Sequence, residues 1–82
     1  MNIKEQVFNV LKQINEESGI NADVSLDTDL TIGNIYDSFA IINIITQVEE
    51  VTNISLIDNM SEILQIKNVG DFISYIEDLS SK

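Results

Sequence analysis

The spacing of apolar residues along the chain predicts three main helices. Over residues 2–17, apolar side chains recur every three to four positions, as on one face of an amphipathic helix. That face consists of Ile3, Val7, Val10, Leu11 and Ile14. Gly19 follows and suits the left-handed conformation that commonly ends a helix. The first helix is therefore expected to end at about residue 17.

The second helix is predicted from Ser38 to about residue 51. Its apolar face is wide and consists of Phe39, Ile41, Ile42, Ile44, Ile45, Val48 and Val51. The polar stripe opposite is narrow and consists of Ala40, Asn43, Gln47 and Glu50. Many of these residues are β-branched, which favours strands. The length of the pattern and the lack of strict alternation nevertheless favour a helix.

Two further helices complete the predicted fold. A turn over residues 52–58 precedes a short helix at about residues 61–66. The last helix begins after Asn68 as N-cap, with Asp71 three residues on. Its apolar face consists of Phe72, Ile73, Ile76 and Leu79. The chain is therefore predicted to be all-α: a small four-helix bundle with three main helices and one short one, forming a single domain over residues 1–82.

The segment between the first two helices, residues 19–37, shows neither helical nor strand periodicity. A loop of this length in a small domain is expected only where it is ordered and functional. Six apolar residues are expected to hold it against the helices: Ile20, Val24, Leu26, Leu30, Ile32 and Ile35.

The composition of the chain argues against several classes of function. The net charge of −10 argues against nucleic acid and anionic membranes, both of which attract basic proteins. The chain has no Cys and no His, which argues against thiol chemistry, a metalloenzyme or an ordinary hydrolase. No signal peptide or bilayer-spanning apolar stretch is visible. We expect a cytoplasmic monomer without membrane insertion that meets basic partners.

A calcium site at the acidic stretch around Asp27 and Asp29 is excluded by its spacing. An EF-hand loop starting at Asp27 requires Gly at position 32 and Glu at position 38, where the chain has Ile32 and Ser38. No metal site is therefore expected.

The candidate chemistry lies at Asp37, Ser38 and Phe39, where the long loop meets the second helix. A helix N-terminus favours negative charge because of its free N–H groups and its dipole. A phosphate ester on Ser38 would therefore be stabilised by the helix.

Residues 30–39, which end in Tyr-Asp-Ser-Phe, resemble the attachment motif of acyl carrier proteins and peptidyl carrier domains. Those proteins have Asp-Ser-Leu at the start of the second helix, after a long loop. The likeness extends to Glu49-Glu50 and to residues 68–72. It implies a four-helix bundle of the acyl-carrier type whose serine carries a 4′-phosphopantetheine arm. A magnesium-dependent phosphopantetheinyl transferase installs that arm from coenzyme A, and its thiol holds cargo as a thioester.

Carried over to this chain, the resemblance makes Ser38 the attachment point and Asp37 a residue that assists attachment. Phe39 replaces the usual Leu as an exposed apolar contact for partner enzymes. Ala40 and Asn43 stand where fatty-acid carriers have acidic residues. That departure favours a dedicated carrier in polyketide, nonribosomal-peptide or aminoacyl-transfer chemistry over the housekeeping fatty-acid pathway.

The predicted partner surface comprises Phe39, Asn43, Glu49 and Glu50, of which the two carboxylates would steer basic partners. Besides the transferase, the expected partners are an acyl- or aminoacyl-loading ligase or transferase and synthase or condensing enzymes with basic docking surfaces. The chain's ends suggest a free-standing polypeptide, and its Ile- and Asn-rich composition suggests an AT-rich bacterium.

Two hypotheses remain open. The first is a covalent carrier, not itself an enzyme, modified at Ser38. The second is a non-covalent acidic helical interaction module in which Ser38 is only a helix cap. A hydrolase using Ser38 is set aside, because no base stands ready to activate the serine.

Overall fold

The computed structural model describes residues 2–81. It contains helices α1 (Ile3–Ser18) and α2 (Ser38–Thr52), a 3-10 turn (Ile57–Asn59), and helices α3 (Met60–Ile63) and α4 (Val69–Ser80). Over this range there is no β-strand, only two isolated β-bridges. The prediction of a small all-α chain with three longer helices and one short helix is confirmed.

Side-chain caps explain where the long helices begin. Asn2 Oδ1 accepts a hydrogen bond from the Glu5 amide at 3.2 Å, which caps α1. Asn68 Oδ1 accepts from the Asp71 amide at 2.8 Å, as predicted for the start of α4. Gly19 has φ 69° and ends α1 in the left-handed region, also as predicted.

The short helix differs from its prediction at residues 61–66. It ends at Ile63, and a 3-10 turn over Ile57–Asn59 leads into it. Ile63 is its only buried residue. Helices in proteins are stabilised mainly by tertiary packing, and one buried side chain provides little of it. The helix therefore ends at Ile63, before the predicted residue 66.

The buried apolar residues form one cluster, to which α1, α2 and α4 contribute most. Helix α1 packs against both α2 and α4. The largest side chains with almost no exposure are Tyr36, Phe72, Leu11, Ile14, Ile44, Leu56 and Ile76. The site at the start of α2 is therefore attached to a firmly packed helix.

The wide apolar face predicted for α2 is buried only in part. The buried residues of α2 are Ile41, Ile44, Ile45 and Val48. Phe39 is 80% exposed, as the resemblance implies, and Ile42 and Val51 are exposed as well. The helix buries only the arc that faces its neighbours.

The long loop is ordered, and three of the six apolar residues that were expected to hold it do pack on the helices. Leu30 is buried, and Ile20 and Val24 lie half-buried against the core, while Leu26, Ile32 and Ile35 are exposed. Backbone hydrogen bonds hold the loop as well. The Leu30 amide donates to the Lys67 carbonyl at 2.9 Å, and the Gly70 amide donates to the Leu26 carbonyl at 2.8 Å.

Gly70 permits this close approach of loop and α4. A Cβ at position 70 would lie 3.2 Å from the Leu26 carbonyl oxygen, tighter than ordinary contact. The loop thus runs along the start of α4 before turning toward α2. Within residues 2–81, no helix combines the length and apolar character needed to cross a bilayer.

Candidate functional site

Helix α2 begins with Asp37 as its N-cap. Asp37 is extended, with φ −79° and ψ 177°, and its Oδ1 accepts the Ala40 amide at 2.8 Å. A carboxylate at this position also interacts favourably with the helix dipole. Ser38 is therefore the first helical residue and not the cap, which corrects the role that the interaction-module hypothesis assigned to it.

The Ser38 side chain is exposed. Among residues 2–81, no protein group forms a hydrogen bond with its hydroxyl. This end of α2 therefore projects from the bundle. The hydroxyl is thus available for reaction, and the fold does not depend on it.

A buried hydrogen bond fixes the segment that leads into this serine. Tyr36 is 1% exposed, and its hydroxyl donates to Asn15 Oδ1 at 2.7 Å. Burial raises the pKa of Tyr36, and the hydrogen bond to Asn15 opposes that rise. Asn15 Nδ2 in turn donates to the Ala22 carbonyl at 3.2 Å. One buried amide on α1 therefore holds both ends of the loop.

The preceding residues form a tight turn around Asp29. Its carboxylate accepts hydrogen bonds from the Asn34 side-chain amide and the Thr31 backbone amide, each at 2.8 Å. These bonds lower the pKa of Asp29, the Asn34 contribution being the largest. Gly33, with φ 96°, then turns the chain so that its amide donates to the Tyr36 carbonyl at 2.8 Å. Asp37 and Ser38 are thus presented by a loop with its own hydrogen-bonded structure.

A cleft of about 340 Å³ adjoins the site, between the end of α1, the loop and the start of α2. Ile14 and Ser18 of α1, Ile20 and Ile35 of the loop, and Phe39 and Asn43 of α2 contribute to its lining, as do Tyr36, Asp37 and Ala40. Its surface is mixed, with apolar side chains beside a hydroxyl, an amide and a carboxylate. We call this feature the α1–α2 cleft.

The other side of α2 is nearly solid. The cavity lined by Leu30, Ile41, Ile63 and Phe72, among others, has a volume of about 10 Å³. That is the space of roughly one water molecule. A cavity of this volume has no room for an acyl chain.

The predicted partner residues lie apart. Phe39 and Asn43 share the α1–α2 cleft, and Phe39 has the most exposed large apolar side chain. Glu49 and Glu50 lie near the other end of α2, eleven and twelve residues beyond Ser38, or about 16–18 Å along the axis. Ser38 and the two carboxylates therefore lie near opposite ends of α2.

Glu49 has a structural role that the sequence did not reveal. Its Oε2 accepts hydrogen bonds from the Leu56 amide at 2.7 Å and the Ile57 amide at 3.2 Å. Glu49 is half-buried, whereas Glu50 is exposed. Of the two predicted steering carboxylates, Glu50 is free in solvent and Glu49 fixes the turn after α2.

Sequence reasoning missed the contribution of α1 to the site. Asn15 and Ser18 were not recognised, because their proximity to Asp37 depends on how α1 packs on α2. One signal was present: Asn15 follows Ile14 and lies four residues after Leu11, so it falls within the apolar face of α1. A polar residue at such a position is expected to have a buried partner.

Within the part of the chain that the structure describes, no group of three acidic residues is arranged to hold a metal ion. Comparisons with protein-family models, curated proteins and solved structures return no match.

Proposed function

We propose that this chain is a carrier protein of the acyl-carrier type, not itself an enzyme, and that Ser38 carries a 4′-phosphopantetheine arm. The observation that carries the proposal is that the Ser38 hydroxyl is exposed and unpaired. Ser38 lies at the first position of α2, and its hydroxyl has no hydrogen-bond partner within residues 2–81. Asp37 caps the helix in its place. The motif thus presents an accessible hydroxyl that folding does not require.

The attachment step is a phosphoryl-type transfer from coenzyme A. Ser38 Oγ attacks the phosphorus that bears the pantetheine group, and a new Oγ–P bond forms. The phosphoanhydride bond of coenzyme A breaks, and adenosine 3′,5′-bisphosphate leaves with its electron pair. The hydroxyl proton passes to a base of the transferase. The product phosphodiester is anionic and lies at the N-terminus of α2, where the helix dipole stabilises it.

Asp37 supports this step in two ways. Its Oδ1 holds the first turn of α2 through the Ala40 amide. Its second carboxylate oxygen has no protein hydrogen-bond donor within residues 2–81 and is available to the magnesium ion of the transferase. The same residue thus orders the helix and assists the metal-dependent enzyme.

The cargo in this proposal is an acyl or aminoacyl group held as a thioester. The arm supplies the thiol that a chain without cysteine lacks. Ala40 and Asn43 replace acidic residues, and the interior cavity is only about 10 Å³. Both observations favour polyketide, nonribosomal-peptide or aminoacyl-transfer chemistry over long fatty-acyl cargo.

Loading and condensing enzymes would dock on the exposed side of α2. Phe39 and Ile42, both exposed, provide apolar contact there. Glu50 provides negative charge for steering a basic enzyme surface. The same surface also suits the alternative, a non-covalent interaction module.

Intact-mass measurement tests the proposal. The protein is incubated with coenzyme A, Mg²⁺ and a broad-specificity phosphopantetheinyl transferase. The wild type and Ser74→Ala, a control at an exposed serine of α4, should each gain one phosphopantetheinyl group. Ser38→Ala should gain none while keeping its helical circular dichroism, because Asp37 still caps α2.

A further variant separates the two roles of Asp37. Asp37→Asn keeps a side-chain oxygen that can cap α2 but removes the charge. It should slow modification without unfolding the protein. Absence of any mass gain in well-folded wild type would contradict the carrier proposal and leave the interaction module.

A further inference from the structure

The α1–α2 cleft lies directly beside the proposed attachment point. Asp37 and Phe39, the two neighbours of Ser38 in the chain, both contribute to its lining. At about 340 Å³ it is large enough for a small organic molecule, since ligand sites begin at about 300 Å³. No residue among positions 2–81 fills this space.

We propose that the α1–α2 cleft binds the phosphopantetheine arm of Ser38 in the unloaded protein. The inference rests on the proposed function, because it requires the arm to be attached. It adds a resting site for the arm on the α1 side of α2, away from the nearly solid interior between α2 and α3.

The arm can reach the cleft across Phe39. In an α-helix, Asn43 lies about 7.5 Å along the axis from Ser38 and about 140° around it, with Phe39 at about 100°. The Phe39 ring is 80% exposed and therefore lies on the path between them. Beyond its phosphate the arm has three residue-sized units, each about 3.5 Å long when extended, which is sufficient for this path.

The chemistry of the cleft matches that of the arm. Pantetheine alternates amide groups with a dimethyl-substituted carbon and methylene groups. Ser18 Oγ and Asn43 Nδ2 have no hydrogen-bond partner within residues 2–81, so both are available to amide groups. Ile20 and Ile35 offer apolar contact for the methyl groups. An entirely apolar groove would leave the amides of the arm without partners, at a cost in binding.

The cleft is also preformed, because its floor belongs to the packed core. Ile14 and Tyr36 in its lining are buried, and the Tyr36–Asn15 hydrogen bond holds the loop to α1. A preformed site loses little entropy when it binds, and a tethered arm does not lose translational freedom a second time. The interior cavity of about 10 Å³ offers the arm no comparable space.

Nuclear Overhauser contacts in the isotope-labelled, modified protein test the inference. Intact mass first establishes that the arm is attached. The methyl groups of the arm should then show contacts to Ile20 and Ile35. Contacts to Ile63 or Leu64 on the opposite side of α2, or no contacts to the protein, would overturn the inference while leaving the carrier function intact.

Two matched variants on α2 examine the polar part of the site. Asn43→Ala removes an unpartnered donor from the cleft, whereas Thr46→Ala lies one turn further on and outside the lining. Each variant is first taken to complete modification, which intact mass establishes, and only fully modified protein is compared. Asn43→Ala should weaken the contacts to Ile35 and Thr46→Ala should not. Equal contacts in both variants would contradict the assigned role of Asn43.

Failure of the wild type to gain the arm would instead overturn the proposed function and this inference with it.

Discussion

Two tyrosines in this chain have hydrogen bonds of similar length and different surroundings. The Tyr36 hydroxyl donates to Asn15 Oδ1 at 2.7 Å in the core, and the Tyr75 hydroxyl donates to Glu62 Oε2 at 2.9 Å at the surface. A buried polar atom that loses its partner retains the cost of desolvation, whereas an exposed one regains water. The two bonds should therefore differ in their contributions to stability.

We expect Tyr36→Phe to lower the free energy of unfolding by about 1–3 kcal/mol, because it leaves Asn15 Oδ1 buried without a donor. Tyr75→Phe, the matched control, should change it by no more than about 0.5 kcal/mol. Urea denaturation followed by circular dichroism measures both values. Equal losses would show that the buried pair does not hold the loop as described.

At the scale of single residues, the sequence predicts some features well and others poorly. The Asn68 cap and the left-handed Gly19 are local, since each depends on residues within one helical turn, and both are confirmed. The Tyr36–Asn15 bond joins residues 21 positions apart and has no local signature. The exposed serine was predictable from its place in the motif, but the identity of its capping neighbour required the structure.

At the level of helices and their connections, Glu49 and Glu50 are neighbours with different roles. The Glu49 carboxylate accepts two backbone amides of the turn after α2, and Glu50 faces solvent. Hydrogen bonds to a charged group each contribute about 1.5–3 kcal/mol when well buried, and partial exposure reduces this. The connection from α2 to the 3-10 turn therefore depends on one side chain.

We expect Glu49→Ala to lower the free energy of unfolding by about 1–2 kcal/mol, and Glu50→Ala to leave it within about 0.5 kcal/mol. Chemical denaturation compares the two variants, which carry the same change in charge. If Glu50→Ala were as destabilising as Glu49→Ala, the loss would come from charge or helix propensity and not from the bonds to the turn.

Helix boundaries were predicted closely because apolar periodicity and end signals agree for α1, α2 and α4. The exposure of Ile42 and Val51 was not predicted, because periodicity shows which residues are apolar and not how many neighbouring helices cover them. The order of the loop was predicted, but its backbone bonds to residues 67 and 70 were not, because they depend on tertiary placement.

At the scale of the whole molecule, the excess of negative charge affects stability. The 82 residues include fourteen carboxylate side chains and only four lysines. The excess carboxylates repel one another in the folded state. Helix α1 adds a local conflict, since its last turn contains Glu16 and Glu17 and no basic residue. Negative charge at a helix C-terminus is unfavourable because it meets the negative end of the dipole. Stability should therefore depend on both net charge and its position.

We expect the melting temperature to rise as NaCl increases from about 0.01 to 0.1 M, since the screening length falls from about 30 to about 10 Å. Glu16→Lys should stabilise the low-salt protein by about 0.3–1 kcal/mol beyond the effect of net charge. Each 1 kcal/mol corresponds to about 4–8 °C in the melting temperature of a domain of this size.

The control variant is Glu5→Lys, which makes the same change in net charge in the first turn of α1. It removes a favourable carboxylate there, so its melting temperature should rise less. The difference between the two variants should shrink as salt is added. Equal melting temperatures for both at low salt would contradict the dipole argument, and a melting temperature independent of salt would contradict the repulsion itself.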